Sequence, residues 1–312
     1  MSVVAILLAA VTVAFPQENQ KFPPLTRCYV IGATDGGETN LVIRGRSVPV
    51  HRSGAWGAVI DVTAGTNVVE VGGVRRTFLV APPEVPDPAA KPPPPKVYKK
   101  LPYAGDKPRP HPAGRPPAEI TVVVDAGHGG SDTGAVSPHG RFEKDANLRL
   151  ALAVRDELVA RGYRVVMTRT DDSFPALYDR PKVAHREKAD AFISIHHNAP
   201  PFDRDPLALR YQAVYAWNPL GERLAKAINE RMAAANPDLR NNGVMLANFA
   251  VTRNPEIPSC LIETDFITSP DGELAAWDPA RIACTADAIA EGFSCWTAAT
   301  ESGHVAEPGV TR

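Results

Sequence analysis

The chain opens on an almost unbroken run of small and apolar residues, 2–15 (SVVAILLAAVTVAF), and turns polar directly afterwards. The run is shorter than the roughly 20 residues a membrane-crossing helix needs and matches the apolar centre of a secretion signal. No Lys or Arg precedes it, and the first basic residue is Lys21. A signal over residues 1–16 is the expectation, with a buried first strand as its alternative. From residue 28 to 80 the pattern changes to short β-branched stretches (41–43, 48–50, 58–62, 68–71 and 77–80) punctuated by glycines. That spacing predicts a small antiparallel β-sandwich over residues 17–80.

Between residues 81 and 119 periodicity disappears. Fourteen of the 31 prolines lie there, four of them consecutive at 92–95. Proline removes a backbone donor and fixes φ, so residues 81–118 are expected to form a semi-rigid spacer with a reach on the order of 100 Å. The spacer also carries Lys91, Lys96, Lys99, Lys100, Lys107, Arg109 and Arg115. These predict contact with anionic envelope polymers, beside the plainer reading of a solvated linker.

Beyond the spacer, strand-like runs at 120–124, 164–168, 191–195, 211–217 and 259–262 alternate with helical stretches at 144–160, 220–235 and 279–296. The first helix is expected to bury Leu148, Leu152, Arg155, Leu158 and Val159. The second buries Leu220, Leu224, Ile228 and Met232, and the third Ile282, Ile289, Phe293 and Trp296 behind an Asp278 cap. Alternating strands and helices predict an α/β domain over 119–298, its mostly parallel sheet flanked by helices on both faces. Residues 299–312 are expected to be a disordered tail. In class, the whole chain is a small all-β, immunoglobulin-like module, a Pro-rich linker and this α/β domain. A net charge of −1 over 312 residues removes any general electrostatic reason to expect nucleic acid. The four cysteines form no CxxC pair, and Cys284 and Cys295 would stand about 16 Å apart on one helix.

Chemistry concentrates at the ends of the strands, where open α/β sheets bind ligands. One strand runs into Asp125 and His128, another into His196 and His197, and the last into Glu263, while Glu143 opens the first helix. A hydrolytic zinc takes three protein ligands, often two imidazoles and a carboxylate, and leaves a position for water. His128, Glu143 and His196 supply that set. Glu263 supplies the carboxylate that takes the water's proton and delivers it to the leaving amine. Gly127, Gly129 and Gly130 let the loop turn sharply and leave room for substrate. Adjacent strand residues face opposite ways, which sets His197 apart from His196. His139 is a weaker candidate ligand. Asp125 and Asp132 are expected to orient the histidine loop, and Arg169 and Arg180 to pair with structural carboxylates such as Asp171 or Asp172.

The stretches VVVDAGHGGSDTGA, FEKDANLRLALAVRDEL, VVMTRTDDSFPALYDR, ADAFISIHHNA, NNGVMLANFAVTR and PSCLIETDFITSP, in that order, resemble the catalytic domain of zinc-dependent N-acetylmuramoyl-L-alanine amidases of the cell-separation type. The resemblance covers residues 120–297. It implies one Zn²⁺ on His128, Glu143 and His196, with Glu263 as catalytic glutamate. The implied reaction is cleavage of peptidoglycan between the lactyl group of N-acetylmuramic acid and L-alanine, by an exported enzyme in the periplasm or outside the cell. The chain departs from the family's pattern at Asp265, where glycine is usual, and at Ser269, where asparagine is usual. An Asp265 facing the site would raise the pKa of Glu263 by like-charge repulsion. A family helix that plugs the site has no room after YQAVYAW, which predicts an open site. The alternatives are a zinc peptidase acting on another wall amide and a catalytically weak or inactive wall-binding protein.

Overall fold

The structure is a computed structural model that describes residues 10–84 and 108–299. The proposed leader core at 2–9, the central spacer and the tail beyond 299 lie outside the described residues. The N-terminal module consists of β1 (Val11–Phe15), β2 (Gln20–Phe22), β3 (Arg27–Thr34), β4 (Asn40–Ile43), β5 (Arg46–Pro49), β6 (Ala55–Asp61), β7 (Gly65–Val71) and β8 (Val74–Val80). Two three-stranded sheets, β1-β3-β6 and β2-β8-β7, with a β4-β5 hairpin, close over a core that includes Trp56, Phe78, Ile31 and Ile43.

The second half of the run expected to be a signal, residues 11–15, forms a strand of this module. Val11, Val13 and Phe15 alternate inward, and β1 pairs antiparallel with β3. The period-two alternation is hard to see because Ala14 is also apolar, leaving Thr12 as the one polar residue in the stretch. Cleavage after residue 16 would remove an entire strand of this sheet. The most buried strand of the module, β3, was also absent from the expected set. Its residues are apolar on both sides because both faces are covered.

The C-terminal half comprises β9 (Thr121–Ala126), α1 (Glu143–Ala160), β10 (Arg164–Met167), α2 (Arg180–Arg186), β11 (Ala191–Asn198), β12 (Gln212–Ala216), α3 (Pro219–Ala235), β13 (Asn241–Leu246), β14 (Ser259–Phe266), α4 (Pro270–Trp277) and α5 (Pro279–Ala298). The sheet order is β10-β9-β11-β14-β12-β13, and only the β14-β12 pairing is antiparallel. This is the expected mostly parallel sheet. Helices α1, α3 and α5 cover one face, while α2 and the segment carrying Val251 and Ile257 cover the other. Asp278 caps α5 by accepting from the Ala280 N–H.

The stripe on α1 is shifted from the expected one. Ala146, Leu150, Ala151, Val154 and Leu158 are buried, whereas Val159 is 53% exposed. Alanines fill the close approach of α1 to the sheet, and a count of large apolar residues overlooks them. Strand β13 and helices α2 and α4, unexpected from the sequence, are short elements whose apolar residues are too few to show a period. The four cysteines are all free, with Cys28 and Cys260 buried.

The two halves are in direct contact. Phe202, between β11 and β12, packs with Phe15, Phe22 and Tyr29 of the module at centroid separations of 6.0, 5.3 and 5.9 Å. The Tyr29 N–H donates to the Phe202 carbonyl at 2.7 Å, and Leu207 packs against the module core. His139 joins Glu273 Oε2 at 2.7 Å and the Ser53 carbonyl at 3.1 Å, bridging the halves from their other side. The end of the spacer is also bound to the domain: Arg109 donates its N–H to the Glu256 carbonyl, and Arg115 pairs with Asp190.

Candidate active site

Strand parity decides which side chains can meet. Val123 and Asp125 on β9, Phe192, Ser194 and His196 on β11, and Leu261 and Glu263 on β14 alternate with Val122, Val124, Ile193, Ile195, Cys260 and Ile262, which pack under α1, α3 and α5. His196 therefore ends on one face, and His197 turns toward α1.

Glu143 occupies the first turn of α1, where the helix dipole favours a carboxylate. Its Oε1 lies 3.2 Å from His128 Nε2 and 3.1 Å from His196 Nδ1. Donor atoms of His128, Glu143 and His196 all fall within 4.8 Å of one another. Oε2 of Glu143 accepts the Ala135 N–H at 2.9 Å, and Asn147, one turn along, donates to Oε1 at 3.1 Å. Asn147 was missed in the sequence, although it stands four positions from Glu143 on the same helical face. Burial alone would raise the Glu143 pKa, but the hydrogen bonds and charges of His128 and His196 bring it well below the ordinary carboxylate range. Burial likewise opposes the charged form of His128, yet Glu143 and Asp132 together raise it to about 9.

The loop carrying His128 is held from beneath. His128 itself has φ +60°, a left-handed conformation unusual outside glycine. Arg180 donates to the His128 carbonyl at 2.7 Å and the Ala126 carbonyl at 2.8 Å, and its Nη1 pairs with Asp125 at 2.9 Å. Asp125 is buried and also accepts from Thr168 and Ser194. Arg169 donates to the carbonyls of Ala126, Gly127, Lys144 and Asp171. The expected carboxylate partner of Arg180 is thus Asp125, and Arg169 is held by carbonyls. Asp132 accepts from His128 Nδ1 at 2.9 Å and so orients the ring with Nε2 toward Glu143. Gly127 makes room for the His196 imidazole, which a Cβ there would meet at 2.2 Å, rather than for substrate as expected.

Glu263 lines the same cleft as His128, Asp132 and His196. Its Oε2 is buried with no hydrogen-bond partner. Burial, followed by the charge of nearby Glu143, raises its pKa well above the ordinary value.

Asp265 behaves differently from the expectation. The β11-β14 register sets His196 opposite Glu263 and Asn198 opposite Phe266, so β14 carries one extra residue. This bulge turns Asp265 away from Glu263. It lines a small cavity with His197, Thr264 and Leu150 instead, and pairs with Arg210 at 2.6 Å. The other candidates do not join the cluster. His197 is buried with its Nδ1 2.8 Å from Asn147 Oδ1, and burial lowers its pKa to about 4. His139 belongs to the interface with the module. Ser269 precedes α4 without a side-chain cap.

A family model described as N-acetylmuramoyl-L-alanine amidase matches residues 122–295. The chain is 38% identical over 154 residues to N-acetylmuramoyl-L-alanine amidase LytC of Bacillus subtilis, covering 48% of this chain but only 30% of LytC. It is 32% identical over 217 residues to N-acetylmuramoyl-L-alanine amidase AmiA of Escherichia coli, covering 55% of this chain and 74% of AmiA. Among solved structures, N-acetylmuramoyl-L-alanine amidase AmiC2 of Nostoc punctiforme superimposes with a TM-score of 0.54 at 32% identity, over 57% of this chain and 96% of that one.

Proposed function

The chain belongs to the N-acetylmuramoyl-L-alanine amidase family, and from that premise we propose that it hydrolyses the amide between the lactyl group of N-acetylmuramic acid and the L-alanine of peptidoglycan stem peptides. The observation that carries the reading is one cleft in which the His128, Glu143 and His196 donors converge beside the unpartnered Oε2 of Glu263. Two imidazoles and a carboxylate are a donor set that suits zinc and leaves a position for water. Bound by these three residues, zinc would supply Lewis acidity toward the scissile carbonyl and would lower the pKa of water toward about 7. Asp132, Arg180 and Asn147 keep the donors aimed at one point. Glu263 takes the proton of the attacking water and passes it to the departing amine of L-alanine, a task suited to a carboxylate whose proton affinity burial has raised.

The test is digestion of purified peptidoglycan by the full chain, with and without chelator, followed by mass spectrometry. Stem peptides with a free L-alanine amine, lost on chelation and in Glu263→Gln, are expected. Peptides shortened at another amide would indicate a zinc peptidase. A folded, zinc-loaded chain that cuts nothing would indicate a wall-binding protein.

The substrate places the activity outside the cytoplasm, and among the described residues no helix is long and apolar enough to cross a membrane. Strand β12 passes to α3 through two residues, so we read the site as open without an activating partner. Activity that appears only after a second protein is added would contradict this. Of the seven basic spacer residues, Arg115 pairs with Asp190 of the domain, and Arg109 is held to it by its backbone N–H. The five lysines remain the candidates for contact with anionic envelope polymers, and unchanged retention on wall sacculi after neutralising them would count against that role.

A further inference from the structure

Two loops that contribute nothing to the His128, Glu143 and His196 cluster still line its cleft. Phe174 and Leu177 stand between β10 and α2, and Phe249 stands between β13 and β14. They are 49%, 51% and 38% exposed. Large apolar side chains left half-exposed on a concave surface mark a place that something covers.

Neither loop is loosely held. Asp172 accepts the Gly130 N–H at 2.9 Å and Lys144 Nζ at 2.7 Å, and Asp171 accepts the Ser173 N–H at 2.9 Å. The Phe174 loop is thereby tied to the loop that carries His128. Phe249 meets the ring of Tyr215 edge-on at 5.3 Å and 84°, and its carbonyl accepts from Thr252. Both rings are presented to the cleft already ordered, which limits the entropy lost when a ligand covers them.

Charge decides what that ligand is. Apart from the histidines, Arg180 is the only cationic residue among the described lining residues, and it is buried on Asp125 and two carbonyls. Away from the metal donors, the wall formed by Phe174, Leu177, Phe249, Ala250 and Val251 thus offers no guanidinium or ammonium to a carboxylate. The stem peptide is anionic. The sugar on the acyl side of the scissile amide is neutral and has apolar C–H faces that suit an aromatic surface.

We propose that Phe174, Leu177 and Phe249 form a cradle for the N-acetylmuramyl ring, so that cleavage depends on the glycan as well as on the amide. The proposal rests on the amidase reading. A cradle of this kind holds ground state and transition state alike, so its loss raises KM and leaves kcat nearly unchanged.

The experiment compares two substrates with the same scissile amide, a soluble N-acetylmuramyl stem peptide and an N-lactyl stem peptide lacking the sugar. The full zinc-loaded chain is expected to show a KM roughly ten-fold or more higher without the sugar. Phe174→Ala and Phe249→Ala should each raise KM about 3- to 10-fold on the muramyl substrate, with kcat within about two-fold, and change little on the sugar-free one. Phe249→Tyr should retain most of the affinity, which separates loss of the aromatic face from damage to the loop. Equal losses on both substrates would overturn the proposal by assigning the walls to the peptide. Unchanged KM in both alanine variants would overturn it as well. Wild-type chain that releases no stem peptide from either substrate overturns the amidase reading itself, and the cradle falls with it.

Discussion

Replacing Arg210 by alanine removes the principal partner of a carboxylate that is only 4% exposed. Asp265 meets Arg210 Nη2 at 2.6 Å and Nε at 3.3 Å, and it also accepts the Phe266 N–H at 2.7 Å. Breaking a fully buried pair costs about 3–5 kcal/mol, and an exposed one about 0–1 kcal/mol. The Arg210 side chain is 29% exposed, so screening brings the expectation for Arg210→Ala to about 2–3 kcal/mol. Asp265→Asn is milder, about 1 kcal/mol, because the freed guanidinium retains water and Asp271, 3.4 Å away. In the double variant the unpaired buried charge is gone, so the total should fall short of the sum by about 1–2 kcal/mol. For a domain of this size, Arg210→Ala should lower Tm by roughly 5–10 °C. Thermal unfolding of the four proteins, followed by a probe in the catalytic half, measures each value. Additive effects, or an Arg210→Ala variant no less stable than Asp265→Asn, would refute the argument that Asp265 is a buried charge neutralised by Arg210.

Three further outcomes follow from the same geometry. Gly127→Ala should displace the His196 imidazole and weaken zinc binding by at least about ten-fold, read by competition with a chromophoric chelator. By the same assay, Asp132→Ala should weaken zinc binding about 10- to 100-fold, since it frees the His128 ring to rotate. Phe202→Ala should cost about 1–2 kcal/mol, less than a fully buried phenylalanine because Phe202 is 37% exposed. Faster hydrogen exchange at the Tyr29 amide is the readout, and unchanged protection there would argue against Phe202 holding the module.

Much of the candidate site was legible in the chain alone because its residues sit at places that local pattern reveals. An apolar strand that stops at a histidine or a glutamate is visible in the sequence, and so is a carboxylate opening an amphipathic helix. Period-two alternation separates His196 from His197 without any coordinates. What local pattern cannot supply is the identity of a partner distant in sequence. Asp125 finds Arg180, 55 positions away, and Asp265 finds Arg210 at the same separation, and neither pairing leaves a trace in composition or spacing.

The clearest division is at Asp265 and at the N-terminus. Two positions along an ideal strand face the same side, so the sequence alone points Asp265 toward Glu263. The extra residue in β14 reverses that direction, and a bulge arises from register with β11, a long-range property. The run at 2–15 is equally apolar whether it is a leader or a strand. Only the pairing of Val11–Phe15 with β3 identifies its second half as part of the sheet. The proline-rich composition of residues 81–118 predicts a spacer without helix interiors or central strands, and most of that spacer lies outside the described residues. Whether it separates the halves was decided by Phe202, whose apolar ring is buried most favourably among the aromatic residues of the module.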